Sequence, residues 1–155
     1  MKQFLLLAVI ALSPQFGAAA KPISVHSDFE GGALGKIERV SETHFRCGVK
    51  GESDQDGRNR QANWYYFRVD GGKGQSLMID LIDLPGEYNY RPNRGAVTSY
   101  TLPWYSEDNQ HWRQIETAEY QADTPLLRIR LTPRKSRLGL VGNFVHGITG
   151  TDSAS

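Results

Sequence analysis

The chain has 155 residues, 18 Lys+Arg against 17 Asp+Glu for a formal net charge of +1, and a single cysteine. That length holds one domain, or one domain and a leader, and the near-zero charge excludes a strongly basic nucleic-acid binder as the default. One cysteine excludes an intramolecular disulfide framework and every multi-cysteine zinc site, while 39% apolar and 23% charged residues describe a globular protein, not a disordered or multi-span membrane one.

Residues 1–20 read as a leader. Lys2 supplies a positive start, Phe4 to Leu12 form an apolar run, Ser13 and Pro14 break it, and Ala18-Ala19-Ala20 offers a small-residue cleavage site before Lys21. Nine apolar residues are about half of what a bilayer-spanning helix needs. The expectation is a cleaved signal peptide and an exported mature chain, periplasmic or secreted, with no membrane attachment after cleavage.

From Lys21 the dominant signal is period two, punctuated by turn residues. Ile23 to Phe29 starts extended, Glu30 to Gly35 turns, and Lys36 to Val40 reads as a strand. Phe45, Cys47 and Val49 share one face, so Cys47 is expected as a buried free thiol. Trp64 to Val69 places Tyr65, Phe67 and Val69 on one side and Trp64, Tyr66 and Arg68 on the other. Asp70-Gly71-Gly72-Lys73-Gly74 is a loop suited to positive φ. Leu77, Ile79 and Leu81 alternate with Met78, Asp80 and Ile82. Trp104-Tyr105 and His111 to Ile115 look like hairpin arms around Glu107-Asp108-Asn109, and Leu127, Ile129 and Leu131 alternate with Arg128 and Arg130, which are expected to face solvent or a partner.

No capped segment of helical period stands out. The fold class is therefore all-β, an antiparallel β-sandwich spanning residues 21–133. Residues 134–155 form a tail of different character, beginning with a basic loop at Pro133-Arg134-Lys135-Ser136-Arg137; Leu138 to His146 can add one strand, and the remainder is expected to fray.

Catalytic motifs are missing. Histidines 26, 44, 111 and 146 have no partner at metallopeptidase spacing, and the sequence holds no nucleophile elbow, P-loop or dinucleotide fingerprint. Asp54-Gln55-Asp56-Gly57-Arg58-Asn59 resembles half of a calcium loop, but it lacks a closing bidentate Glu and reads equally as an Asx/Gly turn. Arg58 and Arg60, with Arg68, Arg91 and Arg94, form either an anion-reading surface or a solvated rim balanced by nearby carboxylates. The segment Leu84 to Gly95 is the most unusual: Tyr88, Tyr90 and Arg91 on a Pro- and Asn-rich loop are the side chains contact surfaces favour, unless the tyrosines cap the core.

Three stretches carry a family resemblance: Phe29-Glu30-Gly31-Gly32 with Leu34-Gly35-Lys36, then SDQDGRNRQANWYYFRV from Ser53 to Val69, then IDLIDLPGEYNYRP from Ile79 to Pro92. With Pro103-Trp104-Tyr105-Ser106, Trp112 and Leu131-Thr132-Pro133, they make residues 25–133 resemble the N-terminal domain of cytosolic-carboxypeptidase-like zinc carboxypeptidases. The resemblance implies an antiparallel sandwich ahead of a separate α/β domain. That domain would hold one zinc through an HxxE pair and a distant His, an Arg for the substrate carboxylate and a Glu as general base. No residue here corresponds to those, and the tail departs from the aromatic, Pro-rich connector the resemblance would lead to.

The expectation for this chain is thus a non-catalytic accessory domain without catalytic residues, metal ligands or cofactor of its own, zinc belonging to the catalytic domain. That domain, in cis or in trans, is the expected partner, with peptide as a further one and no nucleic acid. Tyr88, Tyr90, Arg91, Arg58, Arg60 and Trp64 are the candidate contacts. The alternative is a standalone peptide- or glycan-binding module using Trp64, Tyr66, Trp104 and Trp112.

Overall fold

The computed structural model describes residues 21–49, 51, 60, 61 and 63–142. The leader, Arg58 and the calcium-like segment from Asp54 to Asn59 lie outside them. Twelve strands and no helix occur among the described residues: β1 (Ser24–His26), β2 (Ile37–Arg39), β3 (His44–Gly48), β4 (Tyr65–Asp70), β5 (Leu77–Ile82), β6 (Gly86–Tyr88), β7 (Arg91–Asn93), β8 (Trp104–Ser106), β9 (Arg113–Gln114), β10 (Glu119–Gln121), β11 (Leu126–Leu131) and β12 (Arg137–Gly142). They form one five-stranded sheet in the order β1-β4-β12-β8-β9, a second in the order β10-β11-β5-β3-β2, and the hairpin β6-β7.

Alternation decides what each sheet buries. Tyr65, Phe67 and Val69 of β4 and Leu138 and Leu140 of β12 meet Phe45 and Cys47 of β3, Leu77, Ile79 and Leu81 of β5, and Leu127 and Ile129 of β11 in one cluster, each 2% exposed or less. Removing such a side chain, Ile129→Ala for example, leaves a cavity costing roughly 2–5 kcal/mol. The described residues are all-β, as the periodicity indicates.

The expectation of a purely antiparallel arrangement is corrected by one pair: β3 and β5 run parallel, from His44 opposite Met78 to Gly48 opposite Ile82. The connection between them passes through β4, which belongs to the other sheet. Such a crossover brings the chain back to its starting sheet in its original direction, and a direct hairpin could not.

The topology gives the fold two distinct ends. At one, β3 and β5 terminate together, Val49 N–H donates to Ile82 C=O at 2.9 Å, and β12 stops at Gly142 opposite Tyr65, where β4 begins. At the other, Asp70 stands opposite Ser24 and Arg137, while the amides of Gly71 and Gly74 donate to Ser136 and Pro133 at 2.7 and 2.8 Å. β12 occupies the middle of its sheet, between β4 and β8, with Leu138 to Gly142 buried.

Candidate contact surfaces

The β6-β7 hairpin projects from the end where β12 stops. Tyr88 pairs with Arg91, so Asn89 and Tyr90 form the two-residue turn, with φ of 47° and 60°. Positive φ at both positions is the type I′ geometry, usually occupied by Asn-Gly because its second residue strains any side chain with a Cβ. Here that residue is a tyrosine. Tyr88 and Tyr90 remain 55% and 50% exposed, and Arg91 is exposed beside them.

The loop is anchored from both sides. Leu84 is fully buried before the hairpin and Val97 is 2% exposed after it. Glu87 N–H donates to Arg60 C=O at 2.6 Å, which fastens Arg60 to β6, and Gly95 N–H donates to Asn93 Oδ1 at 2.6 Å. Arg60 lines a shallow cleft of about 640 Å³ with Asp83 and Glu87. The structure thus brings Arg60, Tyr88, Tyr90 and Arg91 to one end, with both tyrosines about half exposed.

Sequence reasoning missed a third tyrosine there. Tyr100 is 93% exposed on a turn in which Thr98 N–H donates to Thr101 Oγ1 at 2.7 Å and Thr101 N–H to Thr98 C=O at 3.2 Å. It precedes β8, whose Trp104 lies opposite Val141 near the end of β12. The Thr-x-x-Thr spacing around it was the available signal.

Trp64 sits elsewhere, on the outward face of the β4 sheet. Tyr66 is the hub of that face: its ring centroid lies 5.0 Å from Phe29, 6.3 Å from Trp64 and 5.9 Å from Trp112, all edge-on. Gly139 makes room, since a Cβ there would lie 3.3 Å from the Trp112 ring. Val141 stands opposite both Tyr66 and Trp104 and is 2% exposed although it lies on the outward side. Two of the four aromatics proposed as an exposed platform, Trp64 and Trp112, therefore cluster around a third, Tyr66, and all are partly buried.

The outward face of the β5 sheet is polar. Glu38, Arg46, Asp80, Arg128 and Glu119 stand directly opposite one another across five strands. Asp80 is only 2% exposed and accepts from Arg128 Nε and Nη2 at 2.7 and 2.8 Å, with His44 Nε2 at 2.9 Å. Burial alone would push its carboxyl up; the hydrogen bonds and charges of Arg128 and His44 outweigh this and hold it below the ordinary range. Arg128, expected to face solvent or a partner, is instead half-buried on Asp80.

Cys47 and Tyr65 are buried between the sheets. Cys47 is a free thiol with no exposed surface, pushed up to about 12 by burial and by the nearby Asp80 charge, so it is unreactive at neutral pH. Tyr65 is 1% exposed, burial raises its phenol, and its hydroxyl is buried without a hydrogen-bond partner among the described residues. A Cβ at Gly142 would lie 2.7 Å from that hydroxyl, so the unpartnered atom sits where β12 ends.

Among the described residues no three His, Cys, Asp or Glu side chains converge as metal donors, so they do not fit a zinc site. Solved structures share the fold. A metallo-carboxypeptidase from Burkholderia cenocepacia is 21% identical with a TM-score of 0.56, covering 77% of this chain and 28% of its own. A metallo-carboxypeptidase from Pseudomonas aeruginosa, in complex with (2-guanidinoethylmercapto)succinic acid, is 20% identical with a TM-score of 0.58, covering 76% and 28%. This chain thus spans under a third of the length of those proteins. No curated protein matches it. Residues 25–141 match the model described as cytosolic carboxypeptidase N-terminal domain, a stretch that includes the central strand β12, and the chain belongs to that family.

Proposed function

We propose that this chain is a β-sandwich accessory domain of an exported zinc carboxypeptidase. It packs on a catalytic domain, in cis or in trans, and shapes the approach of the peptide substrate without performing chemistry. The observation that carries the reading is the convergence at one end of the fold: an exposed Tyr/Arg hairpin with a tyrosine in a left-handed turn, an exposed Tyr100 and the end of β12. Strained backbone is retained where something selects the side chain, and rigid tyrosines are economical contact residues because they lose little rotamer freedom on binding. Family membership and the much greater length of the structural relatives supply the partner's class. Zinc and the catalytic groups belong, in this reading, to that partner.

Export rests on the leader at residues 1–20, and the mature protein then begins at Lys21. N-terminal sequencing of the secreted or periplasmic protein tests this point. Docking is tested by placing a photo-crosslinking benzoylphenylalanine at Tyr90 and, separately, at Gln121 on the edge of the opposite sheet. The expected result is a crosslink from position 90 to a zinc carboxypeptidase domain and none from 121. Equal labelling from both positions, or none from 90, overturns the reading. Stoichiometric zinc with trimming of peptide C-termini by the purified chain overturns its non-catalytic part.

The aromatic face around Tyr66 favours a second reading, a glycan-binding module. It requires a saturable change in tryptophan fluorescence with sugar, and the accessory reading requires none.

A further inference from the structure

At the end away from the hairpin, a cleft of about 820 Å³ is lined by Lys21, Lys73, Arg137, Asp70, Glu107 and Asp108. Its carboxylates are already bonded within the protein. Asp70 accepts from Arg68 Nε at 2.9 Å and from Arg137 Nε at 3.2 Å. Glu107 Oε1 accepts the amides of Arg134 and Lys135. Asp108 accepts the amides of Gln110 and His111 and the Ser106 hydroxyl. Lys21 and Lys73 enter no ion pair among the described residues.

The main chain adds donors to a cleft lined by three cationic and three anionic side chains. Gly71, Gly72 and Gly74 have φ of 88°, 73° and 73°, values that glycine adopts without steric cost. The loop is tied down through the amides of Gly71, Gly74 and Gln75, whereas the amides of Gly72 and Lys73 make none of these backbone bonds. Both residues line the cleft. A turn that presents successive N–H groups beside ammonium groups is an anion-binding arrangement.

We propose that this cleft binds a phosphoryl group, held by the ammonium groups of Lys21 and Lys73 and by the Gly72 and Lys73 amides. Two positive side chains match a dianion. Arg137 gives its Nε to Asp70 at 3.2 Å, and lysine serves phosphate as a point charge. The size suits a small phosphate ester. The inference is independent of the accessory role, since it concerns the opposite end of the fold.

The test follows amide resonances of the full chain during titration with inorganic phosphate, with glycerol 3-phosphate, with sodium chloride at matched ionic strength, and with phosphatidylglycerol vesicles. Saturable shifts centred on Gly72 and Lys73 are expected from the two soluble phosphates. Lys21→Gln and Lys73→Gln should each weaken binding about tenfold, and Lys36→Gln, on another part of the surface, should not. Vesicle binding that soluble phosphate displaces places the same site on a lipid headgroup. Shifts that track ionic strength, that respond equally to Lys36→Gln, or that appear only with vesicles and resist phosphate overturn the proposal.

Discussion

Across the outward face of one sheet, Glu38, Arg46, Asp80, Arg128 and Glu119 alternate in sign, and the central Asp80 is sealed by Arg128 and His44. Across the outward face of the other, Phe29, Trp64, Tyr66 and Trp112 pack edge-on, with Val141 buried on the same side. The first face satisfies its own polar groups and presents charge to water. The second gathers rings into a small outer core, and it leads toward the end where the Tyr65 hydroxyl has no partner among the described residues and Tyr90 holds a left-handed φ. One side of the molecule is thus complete by itself. The other leaves Tyr88, Tyr90 and Arg91 exposed on the hairpin at its end.

The largest effect should come from breaking the complete side. Asp80→Ala leaves the Arg128 guanidinium and His44 without their carboxylate and should lower stability by about 3 kcal/mol in denaturant unfolding. Arg128→Met in the Asp80→Ala background should recover part of that loss, because the orphaned charge is then gone. The same site predicts an acid limb. The folded-state value of Asp80 lies below its unfolded value, so the stability it contributes is present above the unfolded carboxylate value near 3.8 and is lost as pH falls through the folded value. Unfolding midpoints across the acid range should drop in the wild type and flatten in Asp80→Asn. An equally steep acid limb in that variant would mean the ladder is ornamental.

On the aromatic side, Tyr66→Ala removes the hub of three ring contacts and uncovers Val141, for a loss of about 2–3 kcal/mol. Trp64→Ala, at the edge of the group, should cost less. If instead Tyr66→Ala is nearly neutral in the isolated chain, the rings contribute to partner contact and not to the domain.

The asymmetry between the faces was legible only in part. Alternation in Tyr65-Phe67-Val69 and Leu127-Ile129-Leu131 named the inward residues of β4 and β11 because period two is a local property of the chain. The hairpin arms of β8 and β9 were legible for the same reason. The burial of Asp80 was not: its partners lie 36 and 48 residues away and are set by strand order. The parallel β3-β5 pair is likewise a consequence of topology, which local patterning does not encode. At the hairpin, residue types pointed to Tyr88, Tyr90 and Arg91, but Asn-Tyr is not the usual type I′ pair, so the left-handed Tyr90 emerged only from the backbone.

Two smaller changes sharpen the reading of the open end. Tyr65→Phe deletes a buried hydroxyl that has no partner among the described residues, and it should stabilise the isolated chain by about 1 kcal/mol. A loss of similar size would show that the hydroxyl is hydrogen-bonded in solution, and would remove it as a mark of an incomplete surface.

Tyr90→Gly is the smallest in energy and the most direct. Replacing tyrosine at φ 60° relieves roughly 1 kcal/mol of left-handed strain, and the added freedom of glycine in the unfolded chain offsets much of it, leaving a gain near 0.5 kcal/mol. The resulting Asn-Gly turn is the preferred type I′ pair, so β6 and β7 should keep their register. A crosslinker at Tyr88 in this variant then reads contact separately from folding. A chain that is slightly more stable yet crosslinks poorly to the carboxypeptidase domain means that Tyr90 is kept for binding at a cost in stability. Undiminished crosslinking would place the contact on Tyr88 and Arg91, and a less stable variant would mean that the Tyr90 ring supports the hairpin itself.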